Sequence, residues 1–119
     1  MRIALTTITV CAALFGATPQ EGSAAKLPRA WSAQALCIHS HESTDWYATA
    51  DWQGSPSIYH GGMQIDLRTW VAMAPPGFPA DPAVATIAQQ LAVSYRIWLA
   101  NGRRFSGQWT NAAAACGVP

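Results

Sequence analysis

The stretch Trp31-Ser32-Ala33-Gln34-Ala35-Leu36-Cys37-Ile38-His39-Ser40-His41-Glu42-Ser43 decides the fold class. It holds no glycine or proline, and its apolar residues recur at helical rather than alternating spacing. Trp31, Ala35, Ile38 and Glu42 share one face by the i, i+4, i+7, i+11 rule. The spacing predicts an amphipathic helix over 31–43, with Glu42 on its inward side near the end. A carboxyl group in that position has a raised pKa, because burial disfavours its charged form. A general acid needs that property to hold a proton near neutral pH. The competing reading of the same residue is a solvated glutamate at a helix end.

Downstream, the pattern breaks from Thr44 to Tyr59. Asp45, Asp51, Gly54, Ser55, Pro56 and Ser57 are turn formers, interleaved with Trp46, Tyr47, Trp52 and Tyr59. This segment reads as a loop or short two-stranded hairpin. Asp66 is placed to cap a short helix through Trp70 to about Met73, which Pro75-Pro76 stops. Asp81-Pro82 reads as a further helix start, an N-cap acceptor followed by proline. Val84, Ile87, Leu91, Tyr95 and Trp98 carry its apolar face, and Asn101-Gly102 ends it. The tail carries Phe105, Trp109 and Cys116. The expected architecture is α+β and mostly helical, a small domain with an irregular or hairpin segment between helices. Neither βαβ alternation nor a glycine-rich phosphate loop is present.

Upstream, Met1-Arg2, the apolar run Ile3 to Phe15 and the small residues Gly22-Ser23-Ala24-Ala25 have the three parts of a secretory signal peptide. The apolar run falls short of the roughly 20 residues of a membrane span. The expected division is a signal over 1–25 and one domain over 26–119, secreted and acting outside the cell or at its wall, with no stable membrane insertion. Cys11 sits too early and lacks the preceding small residues of a lipidated cysteine. Removal of the signal leaves Cys37 and Cys116, most simply one disulfide in an exported chain. A net charge of +1 with 11% charged residues gives no clustered basic surface, which excludes nucleic acid as the main partner. A monomer is expected.

The domain retains five carboxylates: Glu42, Asp45, Asp51, Asp66 and Asp81. Glu42 is its only glutamate. After it come Tyr59-His60-Gly61-Gly62-Met63-Gln64-Ile65, the pair Thr69-Trp70 and the run Gln89-Gln90-Leu91-Ala92-Val93. With Trp109 and Cys116 near the end, this order resembles the lysozyme-like transglycosylases, most closely their resuscitation-promoting-factor branch. The resemblance spans Trp31 to Cys116. It departs in the longer, more polar segment 51–57, in the insert 103–107, and in lacking the Ala-Tyr-Asn motif of larger lytic transglycosylases. It implies a lysozyme-like fold acting on peptidoglycan glycan strands. Glu42 would protonate the oxygen of the β-1,4 bond between N-acetylmuramic acid and N-acetylglucosamine. Gln64 would hydrogen-bond sugar, Gly61 and Gly62 would admit the glycan closely, and Thr69 and Asn101 would line the cleft. Tyr59 and Trp52, or Trp46, would stack on sugar faces. No cofactor is implied.

The attacking group stays open at this level. A second carboxylate, Asp51 or Asp66, would activate water in a hydrolase. With neither, the muramic C6 hydroxyl would attack and form a 1,6-anhydro sugar. A zinc site from His39, His41 and His60 is disfavoured, since i and i+2 on a helix point to different faces. The alternative of a different class is a non-catalytic cell-wall binding or signalling module on the same fold.

Overall fold

The computed structural model of the chain describes residues 27–49 and 58–119. The expected signal segment, Cys11, Asp51 and Trp52 lie outside these residues. The first helix, α1 (Arg29–Glu42), follows Pro28 and ends where Ser43 turns extended at φ −161° and ψ 140°. It begins two residues earlier than the periodicity predicts, and Ser43 is its cap rather than its last turn. Trp31, Ala35 and Ile38 are buried along it, as their spacing requires.

A two-stranded antiparallel hairpin follows, β1 (Tyr59–His60) and β2 (Ile65–Asp66), with Tyr59 opposite Asp66 and His60 opposite Ile65. It lies across Gly61–Gln64, later than the expected segment 44–59, because the left-handed positions that reverse the chain are Gly61 (φ 79°) and Gln64 (φ 48°). Helix α2 (Leu67–Met73) starts as predicted: the Asp66 carboxylate accepts from the backbone N–H of Arg68 and Thr69. It stops at Ala74, in the extended conformation that a residue before proline favours.

The next segment corrects the expected helix from Asp81. Asp81 accepts from the Ala83 N–H, but Pro82–Val84 forms only a 3-10 turn, broken at Ala85 with ψ 153°. Helix α3 (Ile87–Ala100) starts at Thr86, where Thr86 and Gln89 form a reciprocal capping box. That pairing satisfies two backbone donors against one for Asp81, so the helix begins five residues later. The buried face shifts with it. Gln90, Val93, Ser94 and Ile97 point inward, Val84 is 72% exposed, and Leu91, Tyr95 and Trp98 flank the core. The tail forms another helix that the sequence reading left out, α4 (Thr110–Cys116). Its four alanines are strong helix formers, and Gly117 closes it in the left-handed conformation.

The core joins Trp31, Ala35 and Ile38 of α1, Met63 and Ile65 of the hairpin, Trp70, Val93, Ile97, Phe105, Trp109 and the inner alanines of α4. The Cys37–Cys116 disulfide ties α1 to the end of α4 across 79 residues. A loop of that length constrains the unfolded chain by about 4–5 kcal/mol. The fold is thus α+β and mostly helical with one disulfide, as the sequence predicts.

A single buried polar side chain fastens these parts. Gln90 is fully buried, and its Oε1 accepts from the Gly62 N–H at 2.9 Å. Its Nε2 donates to the carbonyls of Trp46 (2.8 Å) and Ala85 (3.2 Å). Gln90→Leu strands these backbone groups, each costing about 1–3 kcal/mol when buried and unpaired. Denaturant unfolding of the oxidised protein is expected to show a loss of about 3 kcal/mol or more. A loss below about 1 kcal/mol would contradict the clamp.

Candidate active-site cleft

Glu42 is the last residue of α1 and is half-buried. Burial raises its pKa above the usual glutamate range. The last turn of α1, where the helix presents its negative end, acts in the same direction. No described residue bonds its carboxyl group.

Glu42 lines an open depression of about 320 Å³. Tyr59 and Gln64 line it too, so three of the predicted site residues meet there. Gln64 is held by the hairpin turn: its backbone N–H and its Nε2 both donate to the Gly61 carbonyl, at 3.2 and 2.9 Å. A non-glycine residue in left-handed geometry is strained, and the surrounding turn must fix it. Gln64 lines the same depression as Glu42, with its amide oxygen uncommitted among the described residues. Tyr59 is 47% exposed, presenting ring surface at the rim.

Thr69 and Asn101 lie together in an adjoining depression of about 280 Å³. Its floor is apolar, from Met73, Ile97 and Ala100. Asn101 also has a local duty, since its Nδ2 donates to the carbonyls of Arg104 and Ser106 and shapes the loop after α3. Gln108 lines both depressions. Gln108, Thr110 and Asn111 complete the wall opposite α1 and were missed from sequence. The signal that locates them is Trp109, whose buried ring pins the polar residues on either side.

Gly61 and Gly62 are placed differently from the other predicted residues. Both are buried and line neither depression. A Cβ at Gly61 would lie 2.6 Å from Gln90 Oε1, and one at Gly62 would fall on the Trp46 ring. Glycine is required here by packing against the clamp. Trp46 stacks on His39 at a ring separation of 3.8 Å. His39 Nδ1 donates to the Gly62 carbonyl at 2.7 Å. His60 pairs with Asp81 at 2.9 Å, so neither of these histidines stands with His41 in a shared site. The sulfurs of Cys37 and Cys116 approach His41, but they are joined to each other.

The remaining acids among the described residues line neither depression. Asp66 caps α2, Asp81 caps the 3-10 turn and holds His60, and Asp45 accepts from the Tyr47 N–H. Among the described residues, Glu42 is the only carboxylate lining either depression.

The model of the transglycosylase-like domain matches residues 29–112. The chain belongs to this family. It is a lysozyme-like family that includes the resuscitation-promoting-factor catalytic domain, and at the level of the family it acts on peptidoglycan. The match runs from the start of α1 into α4 and so takes in both walls of the cleft. Comparisons with curated proteins and with solved structures return no match. No helix among the described residues is long and apolar enough to cross a membrane.

The raised pKa of Glu42 has a consequence for stability. A carboxyl whose folded pKa exceeds its unfolded value favours the fold below the unfolded pKa, and that contribution is lost as pH rises through the folded one. Glu42→Gln removes the titration. Its stability relative to wild type is therefore expected to increase from about pH 4 to neutral pH, read as the difference in unfolding midpoint. A difference that is flat or falls with pH would contradict the burial of this acid.

Proposed function

We propose that the protein is an exported enzyme that cleaves peptidoglycan glycan strands at the β-1,4 bond between N-acetylmuramic acid and N-acetylglucosamine, with Glu42 as general acid. The observation that carries this reading is the lone half-buried glutamate, with its raised pKa, on the wall of a cleft that Tyr59 and Gln64 also line. The disulfide and the signal-like first 25 residues support export to an oxidising compartment.

Glu42 enters the reaction protonated and gives its proton to the glycosidic oxygen as the bond to the muramic C1 breaks. The ring oxygen shares the positive charge that develops at C1. Glu42, now a carboxylate, is left facing the sugar, with no second acid beside it among the described residues. The muramic C6 hydroxyl attacks C1 and its proton returns to Glu42. The products are a 1,6-anhydromuramic end and a new N-acetylglucosamine 4-hydroxyl, and the enzyme regains its starting protonation. One carboxylate serves both steps, which matches the single acid among the described cleft residues. Gln64 supplies an acceptor for a sugar hydroxyl or amide, and Tyr59 offers a face for stacking. Thr69, Asn101 and, in the segment outside the described residues, Trp52 extend the contact along the strand.

Muropeptide release from purified peptidoglycan tests the proposal. Glu42→Gln is expected to lower the rate by about 10²–10⁴-fold while leaving glycan binding in place. Mass analysis of wild-type products is expected to show anhydro ends. Reducing ends would replace the hydroxyl attack by water. Binding without any Glu42-dependent release would leave a cell-wall binding module instead.

A further inference from the structure

Gln108 is the one side chain shared by the two depressions. Its neighbours fix its backbone. Gly107 has φ 101°, its N–H donates to Thr110 Oγ1 at 3.1 Å, and it packs beside the Asn101 amide. Trp109 is 1% exposed, its backbone N–H donates to the Phe105 carbonyl, and its indole N–H donates to the Met63 carbonyl at 2.7 Å. Gln108 thus stands between a shaped turn and a buried anchor. Its own amide bonds no described residue. The backbone at Gln108 is fixed on both sides, and its side-chain amide brings to both depressions a donor and an acceptor that no described residue takes up.

The surroundings specify the ligand group. On one side lie Glu42 and Gln64. On the other lies a floor of Met73, Ile97 and Ala100 with Thr69 and Asn101 at its edge. A bare hydroxyl would use the polar atoms and leave the apolar floor in contact with water. An acetamido group uses both: its N–H and carbonyl match the donor and acceptor of a glutamine amide, and its methyl covers apolar carbon. Sugars carrying this group recur along the proposed substrate. We infer that Gln108 is a positioning residue that binds the acetamido group of the sugar next to the scissile bond. It thereby fixes the register of the strand on Glu42.

This inference rests on the proposed glycan substrate, and its test separates the two. The full-length, disulfide-bonded Glu42→Gln protein would be titrated with soluble peptide-free glycan strands, intact or chemically de-N-acetylated. The same titrations would follow for Glu42→Gln carrying Gln108→Ala, with binding read by tryptophan fluorescence. Loss of two neutral hydrogen bonds predicts about 10-fold weaker binding of intact strands by the double variant. For de-N-acetylated strands the two proteins are expected to agree within about 2-fold. Gln108→Glu keeps the length and the acceptor but not the donor, and is expected to fall between them for intact strands. Equal loss on both substrates, or none on intact strands, would overturn the assignment. Failure of wild type to release muropeptides, with this binding pattern retained, would instead count against catalysis alone.

Discussion

The buried amide of Gln90 is the contact on which the cleft depends. It reaches the segment after α1 through the Trp46 carbonyl, the hairpin turn through the Gly62 N–H, and its own helix start through the Ala85 carbonyl. A buried amide has both a donor and an acceptor to satisfy, so it fixes all three segments at once. Its demands propagate outward. No side chain fits at Gly61 or Gly62, and Trp46 is pressed onto His39, which reaches back from α1 to the same turn. The hairpin turn is thereby fixed against the last turn of α1, which brings Gln64 and Glu42 to one depression.

The opposite wall is fixed by different means. Trp109 is buried against the core and hydrogen-bonded to Met63, while the disulfide fastens the far end of α4 to the middle of α1. Glu42 lies five positions after Cys37, and Gln108 lies eight before Cys116. The covalent tie therefore restrains the two walls of the same cleft and contributes to stability as well. The acid is kept half out of water, which raises its pKa, and it lines the open depression.

Much of this was legible in the sequence because it follows from local chemistry. The helical period of Trp31, Ala35, Ile38 and Glu42 placed the acid on the inward face. The caps at Asp66 and Gly117 follow from residue type. The cysteine pair followed from there being only two after the expected signal. What escaped were choices between competing signals. Asp81-Pro82 is a strong start, but the Thr86–Gln89 box is stronger, so the buried face of α3 rotates from Leu91 and Trp98 to Gln90, Val93 and Ile97. Gln90 itself read as part of a family run, and nothing in helical spacing marks a glutamine as core. Gln108 and Asn111 were equally hidden, since their place in the cleft depends on a burial of Trp109 that only tertiary structure supplies. The need for glycine at 61 and 62 is tertiary as well, since a Cβ there would meet Gln90 and Trp46.

The proposed chemistry turns on the raised pKa of Glu42. Its carboxyl carbon can be followed directly by NMR in the substrate-free, disulfide-bonded protein. Titration of the Glu42 carboxyl resonance is predicted to give a midpoint above the ordinary glutamate value of about 4.3. A midpoint at or below that value would mean a solvated carboxylate at a helix end, and would contradict the reading of Glu42 as the acid of the cleft.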